Sequence, residues 1–310
     1  MPWWFTPDVS AWPKVADEWL GLRPKTWVLD PTGEYWLRKE PLSWRPSELA
    51  VEAVTLELAR RCGYIVASGN CCTWRDDGGR VLRGFVSRRF HDTTEEQTVG
   101  ATLLAAEMGE TGIPSNLSSD AAEDRRRLMS TLELTRTVLE KQERRYGVAL
   151  IKPFLAMLVF DAWIGNGDRH SANWAILVRG PLHASVCRLA PIYDTAGCLL
   201  ANLTDESVQT RFGSGDESGA IARYIEKCRS GFGNGIDDPG ILHAELIEKL
   251  MRWPEWSSIA PPLISFFSRS LGTVDALLME VPSEWLSERR KQLIRRLLEG
   301  RGRILEGLLS

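Results

Sequence analysis

Four side chains in this sequence have the types and spacing of a single piece of chemistry. In WIGNGDRHSANWAIL, residues 163 to 177, Asp168 and Asn173 stand five positions apart within a polar knot set between two apolar runs. An aspartate can take a proton from a hydroxyl and an amide oxygen can hold a magnesium ion, but a regular helix would turn the two to different faces. A short irregular loop presents both to one cleft. Further on, LAPIYDTAGCLL delivers Asp194 into a turn ahead of Gly197. Magnesium takes hard oxygen ligands, usually only one or two of them carboxylates, with phosphate oxygens and water completing the shell. Asp194 is the expected metal carboxylate. Lys39, in EYWLRKEP, is a lysine on an expected strand, suited to reach nucleotide phosphates as a point charge. Glu52 on the following helix is its expected partner, with Glu48 one turn earlier as the alternative. Arg38 is its rival, because strand alternation directs only one of the two into a cleft. Base, metal ligands and phosphate lysine together imply ATP- and magnesium-dependent phosphoryl transfer.

These groups need rigid elements to hold them. LIKPFLAMLVFDAWIG has the length and all-round apolarity of a buried helix, ended by Gly165, Asn166 and Gly167. NWAILV reads as a strand, and a hairpin through PLHASVCRL would return the chain to the same cleft. Upstream, TWVLD and EYWLRKE form a hairpin around Pro31, Thr32 and Gly33. Residues 47 to 62 read as a helix stopped by Gly63. GYIVAS and RVLRGFVSRRF are strand candidates on either side of the turn-rich WRDDGG. From about residue 93 the pattern turns helical, with EEQTVGATLLAAEMG and AAEDRRRLMSTLELTRTVLEKQERRY as helices. Residues 203 to 240 are glycine-rich and read as a long loop around a short helix, ARYIEKC. The last segment carries Leu286, Leu293, Ile294, Leu297 and Leu298 at helical spacing, with its arginines expected in solvent. The expected class is α+β in two lobes. Residues 1–92 form a small β-rich nucleotide-binding lobe and residues 93–310 a helical catalytic lobe.

Composition narrows the function classes. A length of 310 residues supports a substantial core, and a formal net charge of −3 argues against a general nucleic-acid binder. The longest apolar run is interrupted by Lys152 and Asp161, so no membrane span is expected. The start, MPWWFTPDVSAWP, lacks the basic and apolar regions of a signal peptide, which points to the cytoplasm. Six cysteines without C-x-x-C spacing read as buried thiols, although the adjacent Cys71 and Cys72 offer a redox-switch alternative. Thirteen tryptophans are expected as core and lobe-contact anchors. His170 reads as a structural histidine.

The succession GLRPK (Gly21 to Lys25), WLRK (Trp36 to Lys39), a Glu-bearing helix ending in ARRCG, then IGNGDRHSAN and APIYD resembles the HipA-like kinases. The wording GDRHxxN is also similar to phosphoinositide kinases. The resemblance covers roughly residues 18 to 200 and implies a protein-kinase-like fold. It further implies that Gly21 and Lys25 belong to a loop covering the nucleotide phosphates, with Asp168 as base and Asn173 and Asp194 as metal ligands. Arg23 stands where the family loop often has glutamine. The family includes toxin kinases and secreted effectors, so a Ser/Thr protein substrate and an antitoxin or regulatory partner are implied. Delivery as an effector is the alternative to a cytoplasmic place of action. No helix-turn-helix is seen for direct DNA binding. A lipid or small-molecule kinase of the same fold, and a nucleotide-binding pseudokinase acting as an interaction module, are the competing readings. Family toxins commonly carry a serine one or three residues before the loop glycine, whereas here Leu20 and Glu18 hold those positions. The resemblance therefore implies a kinase without autophosphorylation of that loop.

Overall fold

The computed structural model describes residues 3–18, 23–109, 131–180, 186–213, 215–233 and 240–309. Strands β1 (Lys14–Glu18), β2 (Lys25–Leu29), β3 (Tyr35–Lys39), β4 (Gly69–Arg75) and β5 (Val81–Arg88) form an antiparallel sheet in the order β1-β2-β3-β5-β4. The β2–β3 hairpin closes as its sequence predicts. Asp30 Oδ1 accepts from the backbone N–H groups of Thr32 and Glu34 (2.8 and 2.9 Å), and Gly33 supplies the left-handed residue at φ +86°.

Alternation divides this sheet into two faces. Arg38 points outward and lays its guanidinium over the Trp74 ring at 4.6 Å, beside a small apolar cluster of Val9, Cys72, Trp74 and Val86. Lys39 and its cross-strand neighbour Phe85 point inward, toward helix α1 (Glu48–Arg61). Every residue of α1 from Glu48 to Ala59 is buried, its three carboxylates included. The helix is covered by the sheet on one side and by the helical part of the chain on the other, so even its carboxylates lie inside. Cys71 and Cys72, adjacent on β4, are both buried and belong to different clusters, Cys71 to the main core. Burial pushes the Cys72 thiol up to about 12 and Cys71 well above the ordinary thiol value. Neither has the exposed thiolate that a redox switch requires.

A second antiparallel sheet, β6 (Glu95–Val99), β7 (Ala175–Arg179) and β8 (Val186–Leu189), lies in the order β6-β7-β8. Around it the described helices are α2 (Gly100–Glu107), α3 (Leu132–Tyr146), α4 (Ile151–Ile164), α5 (Asp205–Phe212), α6 (Glu217–Glu226), α7 (His243–Leu250), α8 (Trp256–Arg269), α9 (Leu271–Glu280) and α10 (Glu288–Gly307). Helix α4 is the centre of the core. Phe154, Leu158, Phe160, Trp163 and Ile164 are fully buried, and Trp163 stacks on Phe267 of α8 with centroids 4.3 Å apart. The chain thus has a β-sheet N-terminal region and a helical C-terminal part, as the sequence suggests.

Several elements differ from expectation. GYIVAS is not a sheet strand, since the chain becomes strand only at Gly69. Instead Ile65 O accepts from Ile192 N, and Ala67 N donates to Ile192 O, both at 2.9 Å, so this segment braces the chain that leads to Asp194. EEQTV is a strand because it pairs with β7, and the helix begins at Gly100, whose missing side chain admits the Trp174 ring. Among the described residues of the glycine-rich 203–240 region are α5, which was not expected, and α6, which overlaps the expected ARYIEKC helix; each is started by a capping side chain, Thr204 accepting from Ser207 N and Asp216 from Gly219 N. In α10 the leucine stripe is buried as expected, but Arg290 is fully buried as well, bonded to Asp205 and to the carbonyls of Leu200 and Leu203. Residues 121–130 of the expected long helix lie outside the described residues.

The first residues run across both parts. Trp3 donates its backbone N–H to Glu280 (2.8 Å) and its indole N–H to Leu277 O (3.1 Å), both on α9. Trp4 packs edge-on against Trp285, over which Arg83 of β5 also sits. The strap then pairs with the edge of β4 through Thr73, which donates to Pro7 O and accepts from Val9 N.

Candidate active site

Helix α4 ends where its sequence changes character. Gly165 adopts the left-handed conformation at φ +68°, and the loop that follows is fixed from below by Asp161, a carboxylate inside an otherwise apolar helix. Asp161 is 1% exposed. Its Oδ1 accepts from Asn166 Nδ2 (2.8 Å) and Arg169 Nη2 (3.1 Å), and its Oδ2 accepts from Arg169 Nε (2.8 Å). Asn166 in turn accepts from the backbone N–H of Asp168 at 3.1 Å. The loop is therefore hung on one buried carboxylate.

Arg169 does more than neutralise that charge. Its Nη1 donates to Asn173 O (2.6 Å) and to Tyr193 O (2.8 Å), so one guanidinium clasps both segments that carry expected metal ligands. Asn173 Nδ2 donates to Asp168 O at 2.7 Å, which leaves the amide oxygen Oδ1 as the group available to a cation. Asp168 stands at the open side of this knot with 41% of its side chain exposed. His170 Nε2 lies 3.9 Å from Asp168 Oδ1, while His170 Nδ1 accepts from Ala172 N, which is a loop-forming role.

Asp194 meets this loop from the other side. Its φ of +52° is a left-handed conformation that non-glycine residues seldom adopt, and such strain collects at functional sites. Gly167 N donates to Gly197 O (3.1 Å), and a Cβ on Gly197 would lie 2.5 Å from Asp168 Cβ. Only glycine lets the two loops come this close. Across the cleft, Lys39 Nζ donates to Glu52 Oε1 (2.7 Å) and Asp194 Oδ1 (3.1 Å). Glu48 is not the partner, because it pairs with Arg23 and Arg45.

Burial and charge act against each other in this triad. Burial alone would lower the Lys39 ammonium pKa, but Asp194 and Glu52 overcome it and hold the group above its ordinary value. Burial would raise the Asp194 carboxyl, yet Lys39, then Lys25, hold it well below the usual carboxylate range. Burial dominates at Glu52 and raises it despite Lys39. Asp194 keeps 31% of its side chain exposed, against 2% for Glu52, so it is the carboxylate that faces the cleft.

Thus Lys39, Glu52 and Asp194 are directly bonded, Asn173 and Asp168 share the adjoining loop, and Lys25 is near enough for its charge to act on Asp194. Gly21 and Leu20 lie outside the described residues; Glu18 accepts from the Trp27 indole. The residues present fit a magnesium ion: one carboxylate and one amide oxygen, short of the full shell that phosphate oxygens would complete. No group of three or more His, Cys, Asp or Glu suited to a metal occurs among the described residues. A concavity of about 720 Å³ lies elsewhere, behind the β5–β6 connection, lined by Ile65, Val66, Arg88, Phe90 and Arg188 among others, and contains none of these groups.

Sequence reasoning did not assign Arg169, Asp161, Asn166 or Gly197. The signal for Asp161 was present, since a lone carboxylate in an apolar helix must be paired when buried.

The HipA-like C-terminal domain family matches residues 19–240. No curated protein sequence matches the chain. Among solved structures, the proinflammatory kinase CtkA of Helicobacter pylori superposes with a TM-score of 0.68 at 16% identity, over 96% of this chain and 94% of that one. HipA of Shewanella oneidensis MR-1, solved with HipB and operator DNA, gives 0.49 at 15% identity over 95% and 66%. A Golgi casein kinase gives 0.41 at 13% identity over 99% and 75%. The first of these extends over nearly both chains, and the protein-kinase-like fold is read from it.

Proposed function

Because the chain belongs to the HipA-like C-terminal domain family, we propose that it is an ATP- and magnesium-dependent kinase that phosphorylates Ser or Thr of a protein. The observation that carries this reading is the bonding of Lys39 to both Glu52 and Asp194 beside a loop that presents Asp168 and the amide oxygen of Asn173. Asp194 and Asn173 would hold the metal. Bound magnesium supplies neutralisation of the phosphate charge that builds up in transfer. Lys39, kept cationic by its two carboxylates, engages the nucleotide phosphates, and Lys25 with Gly21 covers them. Asp168, exposed at the cleft, accepts the proton of the attacking hydroxyl. A pseudokinase has no use for that base, and its retention with the other three groups favours transfer over mere binding. Action in the cytoplasm or as a delivered effector, under a regulatory partner protein, is part of the same proposal; among the described residues no helix is long and apolar enough to cross a membrane.

The test is incubation of purified protein with γ-labelled ATP, magnesium and a cell lysate. A labelled protein band carrying phosphoserine or phosphothreonine, absent with Asp168→Asn, is expected. Label recovered only in the organic extract would replace the protein substrate with a lipid, and no magnesium-dependent transfer at all would overturn the kinase reading.

A further inference from the structure

Thr55 lies on α1 one turn beyond Glu52, and Thr195 directly follows Asp194. Both are fully buried, and their hydroxyl oxygens are 2.6 Å apart. Thr55 Oγ1 is also 2.9 Å from Val51 O and 3.1 Å from Glu52 O, and carbonyls only accept. The single Thr55 proton therefore goes to its own helix, and the proton between the two hydroxyls comes from Thr195.

The turn at Asp194 is strained, so its surroundings must hold it. Ile192 is tied to residues 65 and 67, Tyr193 O to Arg169, and Thr195 O accepts from the Cys198 thiol at 3.1 Å. Among these, only the Thr195–Thr55 bond reaches the helix that carries Glu52. Lys39 Nζ bonds to both Glu52 and Asp194, so the spacing of those two carboxylates decides whether one ammonium can serve both.

We propose that the buried Thr195–Thr55 hydroxyl bond is a positioning clamp that registers the Asp194 turn against α1 and so holds the Asp194 carboxylate in its metal-binding pose. This rests on the reading of Asp194 as the metal carboxylate. Both threonines act through Asp194 and Glu52 and touch neither metal nor nucleotide.

The asymmetry of the bond gives the test. Thr195→Val is nearly isosteric and leaves Thr55 bonded to its own helix. Thr55→Val strands the Thr195 proton in a buried place, which is the worse loss, and the double variant should return to the level of Thr195→Val. Calorimetry of ATP binding with and without magnesium is read first on the wild type. Thr195→Val should keep its metal-free affinity while the magnesium-dependent gain drops by roughly tenfold. Thr195→Ser should restore it, and Thr195→Cys, which offers only a weak donor, gives the same comparison should valine prevent folding. An unchanged magnesium gain in Thr195→Val overturns the clamp. So does an equal loss with and without metal, which would mean general loosening, or a Thr55→Val variant milder than Thr195→Val. A wild type with no magnesium-dependent gain instead removes Asp194 from the metal site, a separate result obtained before any variant is compared.

Discussion

Replacing Arg169 with lysine keeps a positive charge in the same buried place and removes the fork. The guanidinium makes four hydrogen bonds of 2.6 to 3.1 Å, two to Asp161 and one each to the carbonyls of Asn173 and Tyr193. An ammonium on a lysine stem reaches either Asp161 or the carbonyl pair, so at least two of the four bonds are lost. Hydrogen bonds to charged groups contribute about 1.5–3 kcal/mol each, and the loss is then on the order of 3 kcal/mol. That leaves the chain folded at room temperature, because domains are stable by roughly 5–15 kcal/mol. For a chain of 310 residues this lowers the thermal midpoint by roughly 5 °C. Activity should suffer more than stability. Asn173 and Asp194 no longer share a clasp, and a displacement of about 1 Å at reacting groups costs roughly a hundredfold in rate. Thermal unfolding followed by circular dichroism, together with initial rates of phosphoryl transfer at saturating ATP, checks both parts. Activity within twofold of wild type with an unchanged midpoint would refute the view that this guanidinium sets the loop geometry.

Asp168→Asn should abolish phosphoryl transfer while ATP affinity, measured by calorimetry, stays within about twofold, since shape is kept and only the proposed base is removed. Gly197→Ala forces a Cβ to 2.5 Å from Asp168 Cβ and should lower kcat by about tenfold or more with little change in far-ultraviolet dichroism. The buried His243 gives a pH signature: burial, with Arg301 nearby, pushes it from 6.5 down to about 3, so the native state stays neutral while the unfolded state takes up a proton. Stability is then fully present above pH 6.5 and falls with acidity toward about 3, with about 2 kcal/mol lost by pH 5. Urea titrations at pH 7.5 and 5 should show this loss in wild type and a smaller one in His243→Gln. Intact-mass analysis after incubation with Mg-ATP should show no stoichiometric phosphate within residues 10 to 35, consistent with Leu20 and Glu18 at the positions of the family's loop serine.

Much of this was legible because it depends on local patterns. The length of the apolar run ended by Gly165 gave helix α4, and the alternation around Pro31, Thr32 and Gly33 gave the β2–β3 hairpin. Asp194 and Glu52 could be named because charge type and spacing survive in one dimension, whereas Lys39 is preferred to its rival Arg38 on the resemblance to the HipA-like kinases, whose matching segment ends in lysine. What could not be read was whatever depends on partners distant in sequence. Residues 63–68 look like a strand by composition, but their bonding partner is Ile192, and nothing local says so. EEQTV has no apolar alternation and becomes a strand only because β7 lies beside it. Arg169 stood in the quoted motif without a role, since its four acceptors come from three separate segments. Between 203 and 240 the short ARYIEKC helix is legible and overlaps α6, whereas α5 is hidden by the glycine-rich composition, which outweighs the capping signal of Thr204.

The tryptophan strap has a consequence for how the chain is made. Trp3 bonds to Leu277 O, 274 positions later, and Trp4 packs on Trp285. Chains emerge from the ribosome from their N-terminal end and tend to fold in that order. Here residues 3 and 4 find no docking surface until α9 and Trp285 have been synthesised, so a nascent chain that already carries the whole five-stranded sheet still trails two unburied indoles. These two indoles thus settle only after partners at least 274 positions further along have been made. Until then a growing chain presents two unburied indoles to its neighbours, and to any chaperone that scans for such groups.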